Sequence, residues 1–132
     1  MSEYSIAAGY NNEAGLDLIE DILVSGQALH SSVTSLGSFE EGLERGYLNG
    51  LVEDTGFAEW SWVFTAMTPD EYQYIKDTYL GGQRSGFVTV RTKNNGGNYA
   101  NYNAVATLQK NPRLDAGFYV DVEVKFTQGD AL

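Results

Sequence analysis

The stretch Phe118-Tyr-Val-Asp-Val-Glu-Val-Lys-Phe126 decides the class of the fold. Apolar side chains occupy every second position of this stretch, and polar, charged or tyrosine side chains lie between them. A period of two is typical of a β-strand with one buried face. The chain is therefore expected to contain a sheet with one apolar face.

The same alternation occurs in Ala58-Glu-Trp-Ser-Trp-Val-Phe-Thr-Ala66, where one face is heavily aromatic. Aromatic and β-branched residues favour strands, so this segment is expected to pack on the same core as residues 118–126. If its two tryptophans were exposed instead, they could form a carbohydrate-binding platform, which is kept as an alternative. The predicted core aromatics are Trp60, Trp62, Phe64, Phe118 and Phe126.

Between these strands the sequence indicates one helix and one hairpin. Thr68-Pro-Asp-Glu71 supplies an N-cap threonine, a proline at the first helical position and a glutamate three residues after the cap. Gly81 and Gly82 end the helix, which is predicted over about 69–80. Residues 86–92 and 99–108 flank an Asn- and Gly-rich loop and are predicted to form the hairpin.

The first 45 residues are less clearly patterned than the rest of the chain. Residues 16–24 fit either a strand or extended arm or a helix, and the strand or arm is slightly favoured. Residues 25–38 are rich in serine and suggest a flexible loop or an irregular strand pair. Residues 46–52 are predicted as a strand that turns at 53–56 into the tryptophan strand, although two glycines weaken the pattern.

The charge of the chain is strongly asymmetric. Its 132 residues include 18 acids against 8 bases, a formal net charge of −10, and residues 1–60 contain 11 of the acids and a single base, Arg45. High acidity disfavours tight nucleic-acid binding, which requires clustered Lys and Arg. The absence of cysteine excludes disulfides, thiol catalysis and Cys-ligated metals. Neither a signal peptide nor a membrane span is predicted.

No group of residues predicts an active site or a metal site. His30 is the only histidine, and because no nucleophile-elbow pattern surrounds it, an ordinary loop or surface role is predicted. Glu40-Glu41 and Glu53-Asp54 lack the regular spacing of a calcium loop, so they are predicted to be solvated loop acids. The expectation is a protein without catalytic residues or cofactors, and a carboxylate hydrolase is the least favoured alternative.

The order of elements over residues 43–127 resembles a known family. The segments that carry the likeness are Arg45-Gly-Tyr-Leu-Asn-Gly50, Trp60-Ser-Trp-Val-Phe64, Met67-Thr-Pro-Asp-Glu-Tyr72, Gly86-Phe-Val-Thr-Val-Arg-Thr92, Tyr99-Ala-Asn-Tyr-Asn-Ala104 and Tyr119-Val-Asp-Val-Glu-Val124. In this order they resemble the tail tube (major tail) proteins of long-tailed bacteriophages. The resemblance covers about two-thirds of the chain, and none of its segments is a fingerprint motif.

The resemblance implies a mainly β fold, an antiparallel β-sandwich or half-barrel with one flanking helix. Residues 1–132 would form one domain, with an acidic, partly extended region over 1–45, the sandwich with its helix over 46–127 and a short tail over 128–132. It also implies a virion protein, assembled in the host cytoplasm, that forms stacked hexameric rings with itself and contacts other tail proteins.

Genomic DNA would pass through such a tube without specific binding, and no membrane would be involved. A tail terminator, connector or minor tail protein of the same fold is the alternative. If the chain forms such a tube, the acids expected to repel DNA from its lumen are Asp17, Glu20, Asp21, Glu40, Glu41 and Glu44. They could instead lie on the outside or in contacts between rings.

Overall fold

The computed structural model describes residues 3–40, 44–46, 52–54 and 57–132. Most of these residues lie in β-strands, and one α-helix is present among them. The strands are β1 (Ser5–Ala8), β2 (Asp17–Leu18), β3 (Leu23–Val24), β4 (Gln27–Ala28), β5 (Val33–Glu40), β6 (Glu44–Gly46), β7 (Val52–Asp54), β8 (Ala58–Met67), β9 (Ser85–Lys93), β10 (Tyr99–Leu108), β11 (Arg113–Asp115) and β12 (Phe118–Ala131). The helix α1 covers Pro69–Tyr79.

The large antiparallel sheet has the order β2-β1-β9-β10-β12-β8-β5 and curls into a half-barrel. The short strand β11 pairs with the first residues of β12, beyond the end of β10. Two small ladders, β3 with β4 and β6 with β7, are separate from this sheet. The mainly β, antiparallel class with one helix is therefore confirmed, and the predicted hairpin is formed by β9 and β10.

The core is built on the aromatic face of β8 and its neighbour β12. Trp60, Trp62, Phe64 and Phe126 are each at most 3% exposed. The rings of Trp60 and Phe126 stack at 5.2 Å, and Trp62 Nε1 donates a hydrogen bond to Thr92 Oγ1. Phe118 differs from the other four, because it is only half-buried at the start of β12.

The helix follows its capping signals closely. The Thr68 hydroxyl accepts a hydrogen bond from the Glu71 N–H, and the Glu71 carboxylate accepts one from the Thr68 N–H. This reciprocal capping box begins the helix, and Tyr79 ends it one residue before the predicted boundary. Ile75 and Tyr79 are buried against the sheet side, as their spacing predicts.

The N-terminal part of the chain is more ordered than the sequence suggests. Residues 16–24 form two short strands on either side of a 3-10 turn at Ile19–Asp21. Within the segment expected to be a loop or an irregular pair, β5 adds eight residues to the large sheet. Val33 and Phe39, both buried, supply the apolar contacts that hold it there.

Two other boundaries differ from the prediction. Residues 128–132 are not a separate tail, because β12 continues to Ala131 and pairs there with Tyr102 of β10. Residues 53 and 54, which the sequence predicts to lie in a turn, belong to β7, which pairs with β6. The strand predicted over 46–52 falls mostly outside the described residues. Residues 47–51 and 55–56 lie outside the described residues.

The backbone conformation of the turn between β11 and β12 can be tested by substitution. Ala116 and Gly117 both have positive φ, 52° and 88°, as a two-residue hairpin turn of the primed type requires. Alanine is disfavoured in this region, whereas asparagine tolerates it. We therefore expect Ala116→Asn to raise the free energy of unfolding by about 1 kcal/mol in urea denaturation. The control is Ala14→Asn, at an exposed position without positive φ, and equal effects of the two substitutions would contradict the assignment.

Candidate functional site

Four of the six predicted lumen acids lie at the two ends of the sheet order. Asp17, Glu20 and Asp21 are exposed on β2 and the 3-10 turn that follows it, and Glu40 is exposed at the end of β5. Glu44 lies in β6, and the remaining acid, Glu41, lies outside the described residues. β2 and β5 are the first and last strands in the order, so Glu40 lies on a different strand from Asp17 and from the turn that holds Glu20 and Asp21.

The 3-10 turn explains why Glu20 and Asp21 face solvent. Side chains three residues apart in such a turn lie on the same side. Ile19 and Ile22 therefore both enter the core, at 2% and 4% exposure, and the Ile19 N–H donates to the Tyr4 carbonyl at 2.9 Å. With the isoleucines fixed inward, Glu20 and Asp21 are left on the outer side.

An open cleft of about 470 Å³ lies between this turn and α1. We call it the acidic cleft, and it is lined by Leu16, Asp17, Leu18, Asp21, Ile22, Leu23, Tyr74 and Tyr79. The Tyr79 hydroxyl donates a hydrogen bond to Asp17 Oδ2 at 2.9 Å. Burial, and secondarily this hydrogen bond, raises the pKa of Tyr79 above its ordinary value, so the phenol stays protonated and remains a donor. The cleft thus has a mostly polar lining that includes two carboxylates, and Leu23 at the cleft is 58% exposed.

A second feature is the exposed β11–β12 hairpin, which carries one base and one acid, Arg113 and Asp115. Residues 113–117 are all exposed, and Leu114 is exposed to 58%. Arg113, and Lys110 shortly before it, are exposed and form no ion pair with any residue that the structure describes. This hairpin is therefore an exposed, partly apolar element in which the charges of Arg113 and Asp115 balance.

A third feature is the outer edge of β5. This strand pairs with β8 on one side, and within the described part of the chain it is the last strand of the large sheet. Eight residues of backbone are thus available at one end, whereas β2 at the other end has two. Unpaired edges of this length are usually covered or paired in proteins.

His30 has a structural partner that its sequence context did not reveal. The buried Glu71 carboxylate accepts a hydrogen bond from the His30 N–H at 3.0 Å, and His30 Nδ1 lies 3.1 Å from Glu71 Oε1. The imidazole also contacts the ring of Phe118 and is 41% exposed. The capping role of Glu71 follows from its spacing to Thr68, but a partner 41 positions away leaves no local signal.

The described residues contain no cluster of three or more potential metal-ligating His, Asp or Glu side chains. No helix in the described ranges has the length and apolarity to span a membrane. Comparison of the chain with known protein families, with curated proteins and with solved structures finds no match. Its function must therefore be inferred from its own residues and geometry.

Proposed function

We propose that this chain is a structural virion protein of a bacteriophage tail that assembles with itself into stacked, hexameric rings. The stacked rings would form a tail tube through which DNA passes. The observation that carries the proposal is the half-barrel sheet, in which the eight-residue strand β5 is the last strand among the residues that the structure describes. Pairing of the outer edge of β5 with the next copy would extend the sheet between copies and close a ring.

The charge of the chain supports the same role. The net charge is −10, and four of the proposed lumen acids are exposed. A negative surface repels DNA phosphates, so DNA could slide along such a channel without adhering. The sugar-binding alternative is not proposed, because it required exposed rings and Trp60 and Trp62 are 3% and 1% exposed.

Proline substitutions in β5 test whether its edge is used for assembly. The N–H groups of successive strand residues point to opposite sides of the strand. Of the two substitutions Thr34→Pro and Ser35→Pro, one therefore removes an N–H on the outer edge, and the other removes a hydrogen bond to β8. We expect one variant to keep the wild-type unfolding temperature and lose assembly in size-exclusion chromatography with light scattering. The other variant should lose stability.

Pairing through β5 is contradicted if the proline variant that keeps its stability also assembles like the wild type, while the other variant loses stability. Rings that form but never stack would instead favour the terminator or connector role, since such proteins end or join a tube rather than extend it. Other tail proteins of the same phage are the expected partners in either case.

A further inference from the structure

We propose that Asn95 is a site of spontaneous deamidation and that the side chain of Asn94 controls its rate. Asn95 and Gly96 are both exposed in the loop between β9 and β10. They form the one Asn-Gly sequence among the residues that the structure describes. Because glycine has no Cβ, the backbone nitrogen that follows Asn95 is open to approach by the Asn95 side chain. The inference names a modification site and does not depend on self-assembly.

The reaction requires only water as a co-reactant. The Gly96 backbone nitrogen attacks Asn95 Cγ, a new N–Cγ bond forms, and the Cγ–Nδ2 bond breaks. The proton that the nitrogen gives up leaves with the amide group as ammonia, and a five-membered succinimide ring remains. Water then opens this ring at either of its two C–N bonds, which gives aspartate or isoaspartate at position 95.

The loop holds the attacking nitrogen in a hydrogen bond. The Gly96 N–H donates to Asn94 Oδ1 at 2.9 Å, and the Asn98 N–H donates to the same atom at 3.2 Å. Two N–H groups point at this atom, as expected of an amide oxygen. The Gly96 nitrogen must lose its proton to become a nucleophile, and an oxygen facing it disfavours the resulting negative charge. Asn94 therefore retards the first step.

The backbone of the loop also opposes ring closure. The Gly97 N–H donates to the Asn94 carbonyl oxygen at 3.0 Å, so Asn95 and Gly96 are the central residues of a four-residue turn. Neither central residue has a positive φ, as in a type I turn, which favours Asn at its first position and Gly at its last. The succinimide ring contains the Asn95 Cα–C bond, so closure rotates this bond and breaks the turn. The Asn94 side chain stabilises the turn against this opening.

Deamidation would change both the charge and the backbone of the loop. Either product adds a negative charge near Lys93, which is exposed and forms no ion pair with any residue that the structure describes. Isoaspartate also routes the main chain through the former side chain, which adds one carbon atom to the backbone. The ladder pair next to the loop, Lys93 with Tyr99, is therefore the part of the hairpin expected to loosen in the modified chain.

Peptide mapping of the full chain by mass spectrometry tests the site. Trypsin cleaves after Lys93 and Lys110, so Asn95 is read on the peptide 94–110, and the Asn-Gly sequence at 49–50 is read on a different peptide. In warm, mildly alkaline buffer, Asn95 should gain one dalton at least about fivefold more slowly in the folded chain than in guanidinium chloride. The loss of one or two hydrogen bonds changes an equilibrium by about this factor.

Two substitutions at position 94 separate the acceptor oxygen from the rest of the side chain. Asn94→Ala removes the oxygen and should speed deamidation of the folded chain at least about fivefold. Asn94→Asp keeps an acceptor there and should deamidate no faster than the wild type. The matched control is Asn98→Ala, which changes an exposed side chain of the same loop and keeps its N–H, and it should leave the rate unchanged. Thermal unfolding checks that every variant is folded.

The outcomes of this experiment are distinct. Equal rates in folded Asn94→Ala and folded wild-type chains would overturn the control by Asn94, and so would equally fast deamidation of Asn94→Ala and Asn94→Asp. Equal rates in the folded and unfolded wild-type chains would overturn protection by the loop. An Asn95 that stays unmodified even in the unfolded chain would overturn the site itself. None of these results bears on self-assembly, so a failure here is separate from a failure of the proposed function.

Discussion

Replacing Gly129 with alanine is expected to lower the free energy of unfolding by about 2–3 kcal/mol. A Cβ atom at this position would lie 2.5 Å from Trp60 Cζ3 and 3.0 Å from the Ala58 carbonyl oxygen. Gly129 follows Gln128, which has a φ of 55°, in an irregular part of β12 where the register to β8 shifts after Phe126. The bulge thus brings the backbone of β12 close to an indole.

Trp60 cannot move aside to accept the methyl group. Its ring stacks on Phe126 at 5.2 Å and on Phe39 at 4.9 Å, and it also packs against Tyr102. A close-packed core transmits such a displacement to all of these neighbours. The cost should therefore appear as a loss of global stability rather than as a local rearrangement.

Urea denaturation of Gly129→Ala measures this cost directly. The control is Gly96→Ala, in the β9–β10 loop, where the added atom would make only contacts of 3.4 Å with two side chains. Combining Gly129→Ala with Trp60→Phe, which removes the outer indole ring, should cost less than the sum of the single changes. Wild-type stability of Gly129→Ala would show that the β12 bulge is not packed in this way.

Replacing Glu71 with alanine should cost about 3 kcal/mol, because the carboxylate accepts bonds from several donors at a buried position. Its oxygens accept from the Thr68 N–H at 2.8 Å and the His30 N–H at 3.0 Å, and they lie 3.1 and 3.2 Å from His30 Nδ1. The side chain is only 4% exposed. Truncation would leave these donors without an acceptor and would detach the segment before β5 from the helix.

Thermal unfolding and amide hydrogen exchange distinguish this role from a general effect of helix charge. Asp70→Ala removes a neighbouring, exposed acid from the same first turn and should cost only about 0.5 kcal/mol. Faster exchange of the His30 N–H is expected in Glu71→Ala and not in Asp70→Ala. Equal losses of stability in the two variants would contradict the bridging role of Glu71.

The elements that could be predicted from the sequence are those whose signals are local. The alternation in β8 and in the first part of β12 marks the buried face directly, and Thr68 with Glu71 marks the start of α1. By contrast, the apolar residues of β5, Val33, Leu36 and Phe39, are three positions apart in the sequence, so the strand lacks regular alternation. The position of β5 in the sheet depends on its pairing with β8, and no local sequence pattern indicates that pairing.

The candidate site shows the same division between local and distant signals. The excess of acids in the first 60 residues is visible in the sequence and indicates which carboxylates to consider. The acidic cleft itself depends on Tyr79, whose hydroxyl donates a hydrogen bond to Asp17, 62 positions earlier in the chain. Composition therefore identifies the charge, but only the fold shows that Glu40 and Asp17 lie on different strands of the sheet.

Negative-stain electron microscopy of the purified full chain, over a range of high concentrations, tests the central claim most directly. The proposed function predicts rings with a central hole, six-fold in class averages, and short stacks of such rings at the highest concentrations. Single compact particles at every concentration, also after mixing with neighbouring tail proteins of the same phage, would contradict it.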